Sequence, residues 1–317
     1  MNYFDLHCDT IFELSDMALY RKERGTLLEN SGQVDCKRTA IFDHYAQVFA
    51  LFCGVQPVQS PEDAHRRFTT LLHTAQRAFD DCRDILTHCK TADDWKRAQE
   101  QKKAAAFLSI EGAELLQTEE DIQRAIETGV RIVTLTWNHD SIYGCGASTD
   151  NTASLKPAGK ELAQYLSVRG VYMDASHLSE RGFWDLAECV DTPILATHSN
   201  SRTVCPHLRN LTDAQFCEIV RRGGLVGINL YVPFLTKHKT ARCDTIVQHI
   251  EHFCELGGEK HLCIGADWDG CDRLPKGIHD ITGIELLAEA LRKRNYSERQ
   301  IADIFYHNAS RFVLANF

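Results

Sequence analysis

The sequence predicts an α/β chain folded as a (β/α)8 barrel of the TIM type. Three observations predict it. Eight short stretches rich in aliphatic and β-branched residues alternate with longer stretches of helical periodicity, the strand-like stretches are almost wholly apolar, and charged or imidazole side chains recur at the same end of them. Such alternation gives parallel strands joined by crossover helices, and apolar stretches such as AAAFLSI and PILAT suit strands covered on both faces. The count of eight, with polar groups gathered at one end, selects a closed barrel over an open sheet.

The first expected strand, Tyr3–Cys8, runs into DLHCDT, where His7 and Asp9 stand two apart and so share a side of an extended chain. The basic and polar stretch Tyr20–Lys37 is expected to form a loop after the first helix and to overhang the barrel mouth. The second strand, Ala46–Cys53, is followed by the amphipathic stretch Glu62–Leu86. The third, Ala104–Ile110, ends in SIEG with Glu111, before a helix at Glu119–Thr128. The fourth, Arg131–Trp137, leads through a loop to a helix at Lys160–Ser167. Gly170–Ser176 is the fifth strand and ends in DASH with His177, ahead of a helix at Glu180–Cys189. Pro193–Thr197 is the sixth and ends in ATHSN with His198, ahead of a helix at Asp213–Arg222. The seventh is Leu225–Tyr231, and the eighth, His261–Ala266, ends in GADWDG with Asp267 and Asp269. The tail Ile284–Phe317 is helical in pattern and is expected to pack on the barrel exterior. No Pro-, Gly- or Ser-rich linker divides the chain, so 1–317 reads as a single barrel domain.

Of the 317 residues, 44% are hydrophobic and 25% charged, enough to bury a large core. A net charge of -9 gives no general attraction to nucleic acid or to anionic lipid. Met1–Thr10 has no basic stretch followed by an apolar core, and no apolar run is long enough to span a bilayer, so neither a secretory leader nor a membrane span is expected. The 13 cysteines are odd in number and contain no C-x-x-C pair, which points to a reduced cytoplasmic setting with most thiols serving as small buried groups.

Residues at the C-terminal ends of barrel strands converge on one face, where barrel enzymes keep their active sites. A lone His or Asp at a strand end is ordinarily a capping or structural group. Three imidazoles and several carboxylates aimed at one mouth are different, because they repel or go unsatisfied unless a cation sits among them. Nitrogen and oxygen donors suit Zn(II) or a related divalent metal. Five ligands exceed what one catalytic zinc takes, so the set predicts two metals sharing a carboxylate: Glu111 between them, His7 and Asp9 on one, His177 and His198 on the other. Such a pair, roughly 3.5–4 Å apart, brings a bridging water to near-neutral pKa and polarises a carbonyl, which suits amide hydrolysis. Asp267, beside the metals rather than on them, is placed to pass a proton to the leaving amine.

The set DLHCDT, SIEGAE, DASHLS, THSNSRTVCPHLRN, GINLY and IGADWDG, in this order over most of the chain, resembles the membrane dipeptidase, or renal dipeptidase, family of metallopeptidases. The resemblance implies a metal-dependent hydrolase barrel, two Zn2+ per chain with the ligands just given, and hydrolysis of dipeptides, often tolerant of a D-residue at the C-terminal position. It also implies that Arg209, eleven residues beyond His198, pairs with the substrate's free carboxylate, with Tyr231 assisting, and that the chain forms a homodimer. One departure stands out. Family members commonly carry a histidine after T-L-T that contacts the scissile carbonyl oxygen, whereas this chain reads TLTWNHDSIYG, with Trp137 there; His139, two further on, is the candidate to replace it. Without a leader or a hydrophobic tail, the chain resembles a cytoplasmic, bacterial-type relative.

Two other readings compete. Another metal-dependent amidohydrolase, a deacylase or cyclic-amide hydrolase, fits the H-x-D opening as well, since that motif is widely shared among metal barrels. An inert barrel serving as a binding scaffold draws on the Trp137 departure.

Overall fold

The computed structural model describes residues 1–17 and 25–317. Among these, nine parallel strands form one sheet: β1 (Tyr3–Cys8), β2 (Tyr45–Phe52), β3 (Leu86–His88), β4 (Ala104–Glu111), β5 (Val130–Thr134), β6 (Tyr172–Asp174), β7 (Ile194–Leu195), β8 (Val226–Ile228) and β9 (Leu262–Ile264). The order is β7-β6-β5-β4-β2-β1-β9-β8, and a parallel bridge between Ala196 and Val226 joins the two ends into an eight-stranded barrel. All eight expected strands are present.

The ninth, β3, went unforeseen. Its three residues pair with Ala104–Ala106 at the start of β4, on the edge that β5 leaves open because β5 pairs with β4 only from Leu108 onward. For the same reason the helix expected over Glu62–Leu86 stops early, at Pro61–Asp81, and Leu86 belongs to the strand. Ser60 starts that helix by accepting from Asp63 N, with Pro61 in the first turn. The later strands are shorter than expected, and the cause is visible at their ends. Beyond β6 and β7, the amides of Ser176 and Thr197 donate to the Asp174 carboxylate at 3.0 and 2.8 Å, and beyond β8 Tyr231 N donates to Asn229 Oδ1 at 2.6 Å. Side chains take over from the strand ladder where the mouth begins.

The interior is filled by alternate residues. Phe4, Leu6, Ala46, Val48, Ala105, Phe107, Ile132, Tyr172 and Leu195 form one buried cluster, and Phe4 stacks on Phe107 at 5.6 Å between ring centres. The chain's end plugs the bottom of this cluster. Helix Asn308–Asn316 sets Phe312 5.2 Å from Tyr172, and Phe317 5.8 Å from both Tyr172 and Phe107. The tail therefore closes the base of the barrel through its last helix, while helix Glu285–Lys293 packs outside against helix Cys243–Glu255.

Two further features position the mouth. Between Asp5 and Cys8 the pairing of β1 with β2 slips, so that Cys8 partners the outward Phe49 and His7 turns inward directly after the inward Leu6. Asp5 secures the slip by accepting from His7 N at 3.0 Å and from Ala266 N at 3.1 Å. On the far side, glycines form a seam: a Cβ on Gly227 or Gly265 would stand 2.0 or 1.7 Å from Thr197 O, so only glycine lets these backbones approach.

Of the loop expected over Tyr20–Lys37, residues 20–24 lie outside the described residues. The rest docks on the mouth, where Gln33 N donates to Asp269 Oδ1 at 2.6 Å and Asp269 N to Gln33 Oε1 at 2.8 Å. Among the described residues, no helix is long and apolar enough to cross a membrane. All 13 cysteines are unpaired, and most are buried.

Candidate active site

Four strand ends deliver five side chains to one point. His7, Asp9, Glu111, His177 and His198 are all buried, none more than 6% exposed. Glu111 lies at their centre with its two oxygens facing different ways: Oε2 is 3.5 Å from His7 Nε2, and Oε1 is 2.8 Å from His177 Nε2 and 3.6 Å from His198 Nε2. His7 Nε2 is also 3.9 Å from Asp9 Oδ2 and 3.8 Å from Asp267 Oδ1. Asp9 arrives by a route other than the one expected. It is no longer in extended backbone (φ -98, ψ 15) but at the start of helix Thr10–Leu14, and the slip in β1 brings His7 round to meet it.

The hydrogen bonds of the two far histidines fix where their protons lie. His177 Nδ1 is 2.9 Å from Asn138 Oδ1, an acceptor, so Nδ1 donates. His198 Nδ1 is 2.9 Å from Thr197 Oγ1, whose own hydroxyl is spent on Asp174 Oδ2 at 2.6 Å, so here too Nδ1 donates. Both Nε2 atoms therefore present lone pairs, yet they face each other at 2.8 Å with a Glu111 oxygen alongside. Three electron-pair donors meet with no proton among them. Across Glu111, His7 Nε2 and Asp9 Oδ1 are buried without any hydrogen-bond partner. The residues fit divalent cations: within the sets His7, Glu111, His198 and His7, Asp9, Asp267, one ligand atom from each lies within 4.8 Å of the others.

Electrostatics agree. Burial, with Arg209 and His7 nearby, pushes His177 well below its usual pKa, and burial with His7 and His177 does the same to His198. For His7, burial works against the charged form but the carboxylates of Glu111 and Asp9 outweigh it, so its pKa rises. Burial raises Asp9 and Asp267 to about 6, Asp9 with help from the Glu111 charge. Asn229 Nδ2 holds Asp267 Oδ2 at 3.0 Å.

A cavity of about 280 Å³ opens onto this centre, walled by Phe12, Phe52, Trp137, Asn138, Tyr231 and Phe234 and floored by Asp9, Glu111, His177 and Asp267. Arg209 is buried beside it, its guanidinium carbon 5.3 Å from the centre of the Phe234 ring, with Nε and Nη2 unpartnered. Burial pulls its pKa down to about 10, so it stays cationic at neutral pH.

His139 departs from expectation. Its Nε2 bonds Glu114 Oε1, and it is not among the residues that wall the cavity; Trp137 and Asn138 take that wall. In the loop after β5, His177 bonds Asn138, while His139 packs against Glu114 and Trp137. Trp268, between Asp267 and Asp269, is fully buried with its Nε1 3.3 Å from Tyr3 OH. Asp174 is engaged by Thr134, Ser176 and Thr197, and Asp269 by Thr10 and Gln33, as supporting groups. The aromatic walls Phe12, Phe52 and Phe234 were missed, since nothing in their local sequence distinguishes them from core residues.

Comparison with known proteins gives a consistent result. The family model described as membrane dipeptidase (Peptidase family M19) matches residues 1–315. A Klebsiella pneumoniae protein, described as an uncharacterised protein in the pqqA 5' region, is 35% identical over 242 residues, which is 73% of this chain and 89% of that protein. Among solved structures, a dipeptidase described as a metallopeptidase of family M19 superposes with a TM-score of 0.88 at 25% identity, covering 100% of this chain and 98% of its own. A metallopeptidase from Rhodobacter sphaeroides, liganded with a phosphinate mimic of the dipeptide L-Ala-D-Ala, shares the fold with a TM-score of 0.88 at 24% identity, covering 100% and 99%.

Proposed function

Since the chain belongs to the membrane dipeptidase family, M19, and is a metal-dependent dipeptidase, we propose that it works with two zinc ions held across Glu111, on dipeptides that include those with a D-residue at the C-terminus. The observation that carries this reading is the meeting of two lone-pair nitrogens and a carboxylate oxygen at His177, His198 and Glu111, mirrored by the unpartnered His7 and Asp9 on the other Glu111 oxygen. In this reading His7 and Asp9 hold one ion, His177 and His198 the other, and Glu111 both. Ions bound there supply a Lewis acid for the scissile carbonyl and a water acidified to near neutrality.

The chain's own residues do the rest. Arg209, cationic, buried and short of hydrogen-bond partners, takes the free carboxylate of the substrate, with Tyr231 on the same wall. Asp267, raised to about 6, can hold a proton near neutral pH and release it to the departing amine. The aromatic walls exclude water around a substrate of dipeptide size in the 280 Å³ cavity. Acceptance of L,D-dipeptides draws support from the ligand of the Rhodobacter sphaeroides structure. A homodimer and a cytoplasmic location complete the reading, the first checked by light scattering.

The test is zinc-reconstituted protein assayed on L-Ala-L-Ala, L-Ala-D-Ala and their C-terminal amides. Both free dipeptides should be cleaved, the amides poorly, and chelation should abolish turnover. Arg209→Met should cost about 3 kcal/mol in kcat/KM, roughly 100-fold, on free dipeptides and little on the amides. Undiminished activity in fully chelated protein overturns the reading.

A further inference from the structure

Beside the catalytic centre lies a second convergence of metal-binding side chains that the dipeptidase chemistry does not use. Cys53 follows β2, Glu114 lies just beyond the end of β4, and His139 is in the loop after β5, so three adjacent strand ends supply it. One ligand atom from each lies within 4.8 Å of the other two. Cys53 is fully buried and Glu114 is 3% exposed.

Two observations point to a ligand. Glu114 Oε2 and His139 Nδ1 are buried without a hydrogen-bond partner, although Glu114 Oε1 and His139 Nε2 are bonded to each other. In addition, Cys53 Sγ and Glu114 Oε2 converge on the same side of Gly112, where a Cβ would meet them at 2.3 and 3.4 Å. Among the described residues, the nearby cations are already answered: Arg67, which donates to Cys53 O at 2.9 Å, pairs with Asp63 at 2.8 Å, and Lys156, which lines a cavity with Glu114, pairs with Asp140 at 2.9 Å. Glu114 also borders a cavity of about 230 Å³ formed with Pro57, Val58, Gln117 and Asp140, which gives an ion a route in from solvent.

We infer that Cys53, Glu114 and His139 bind a thiophilic divalent cation of the zinc type, separate from the pair at Glu111. Sulfur, nitrogen and oxygen donors in a three-residue set, with water as a fourth ligand, suit zinc and its analogue cobalt(II). Binding displaces the Cys53 thiol proton to solvent and leaves the thiolate on the ion. The ion would tie the segment after β2 to the loop that carries Trp137 and Asn138, the wall of the substrate cavity.

Cobalt(II) is the discriminating probe, because the five side chains around Glu111 offer only nitrogen and oxygen, and a thiolate-to-cobalt charge-transfer band in the near ultraviolet requires sulfur. Titrating cobalt(II) into metal-stripped full-length protein should give that band, with about one equivalent bound beyond the two at Glu111. Cys53→Ser should lose the band and that equivalent while keeping dipeptidase turnover. Glu114→Gln, which leaves the thiol in place, should show the band only at higher cobalt concentrations. No band in the wild type, or the same band and stoichiometry in Cys53→Ser, overturns the inference.

Discussion

His177 and His198 each have one nitrogen committed to a neutral acceptor, and that commitment decides what the other nitrogen can do. Asn138 is the acceptor for His177, at 2.9 Å, and it also walls the cavity, so one side chain both orients a ligand and shapes the pocket. Asn138→Ala frees the ring to rotate and to change tautomer. Zinc affinity, measured by chelator competition, should fall about 10- to 100-fold. Glu111→Gln is harsher, because the amide keeps one carbonyl oxygen but turns a donating N–H toward one of the two proposed ions. Elemental analysis should find the metal content lost, and turnover should fall at least about 100-fold. A variant with full metal and activity would remove Glu111 from the centre. At this scale the sequence was most legible: His7, Asp9, Glu111, His177 and His198 meet within one buried cluster as the strand-end motifs imply. His139 was not, since two residues of offset in a loop carry no periodicity from which to read a direction.

Elements show why the strand ends arrive where they do. Strands long enough to repeat an apolar pattern, such as β2 and β4, were readable from sequence, but the three residues of β3 offer none. The slip in β1 was equally hidden, because it depends on Asp5 capturing amides of His7 and of the distant Ala266. Helix Cys243–Glu255 shows a comparable long-range device. Its His249 accepts from Ser201 N at 3.1 Å and is 3.0 Å from Leu235 O, anchoring the segment that leads from His198 to Arg209. Burial lowers its pKa from 6.5 to about 4. The unfolded chain therefore takes up a proton below pH 6.5 that the folded chain refuses until about pH 4, so this group's stability is present above 6.5 and lost as pH falls through that window. The loss should approach about 3 kcal/mol, less in the measured total where other groups oppose it. His249→Asn should be less stable at pH 7.5 but flatter between pH 6.5 and 4 by urea unfolding; an unchanged slope would exclude His249 as the source.

The whole molecule separates its stability from its chemistry. The mouth carries buried charges, unpartnered nitrogens and left-handed backbone at His177 (φ 67) and Asp267 (φ 65), while the base is an apolar plug made by the chain's own end. Phe312→Ala, at the base among Tyr172 and Phe317, should cost about 3 kcal/mol in chemical unfolding and leave kcat within about twofold. A large loss of kcat in folded protein would show that base and mouth are coupled. The barrel is also uneven around its circumference. β1, β2 and β4 are joined by long ladders, whereas β7 meets β8 only past its end, through the bridge at Ala196 and Val226 and the backbone bonds that flank it, beside the glycine seam. His7 and Glu111 stand on the strong side, His198 next to the weak one. Breathing at the seam would move His198, at its edge, long before it disturbed His7 and Asp9 on β1, so the two proposed ions should depart in sequence. Chelation ought to proceed in a fast and a slow phase, and the protein ought to pass through a half-loaded form with its ion on the β1 side.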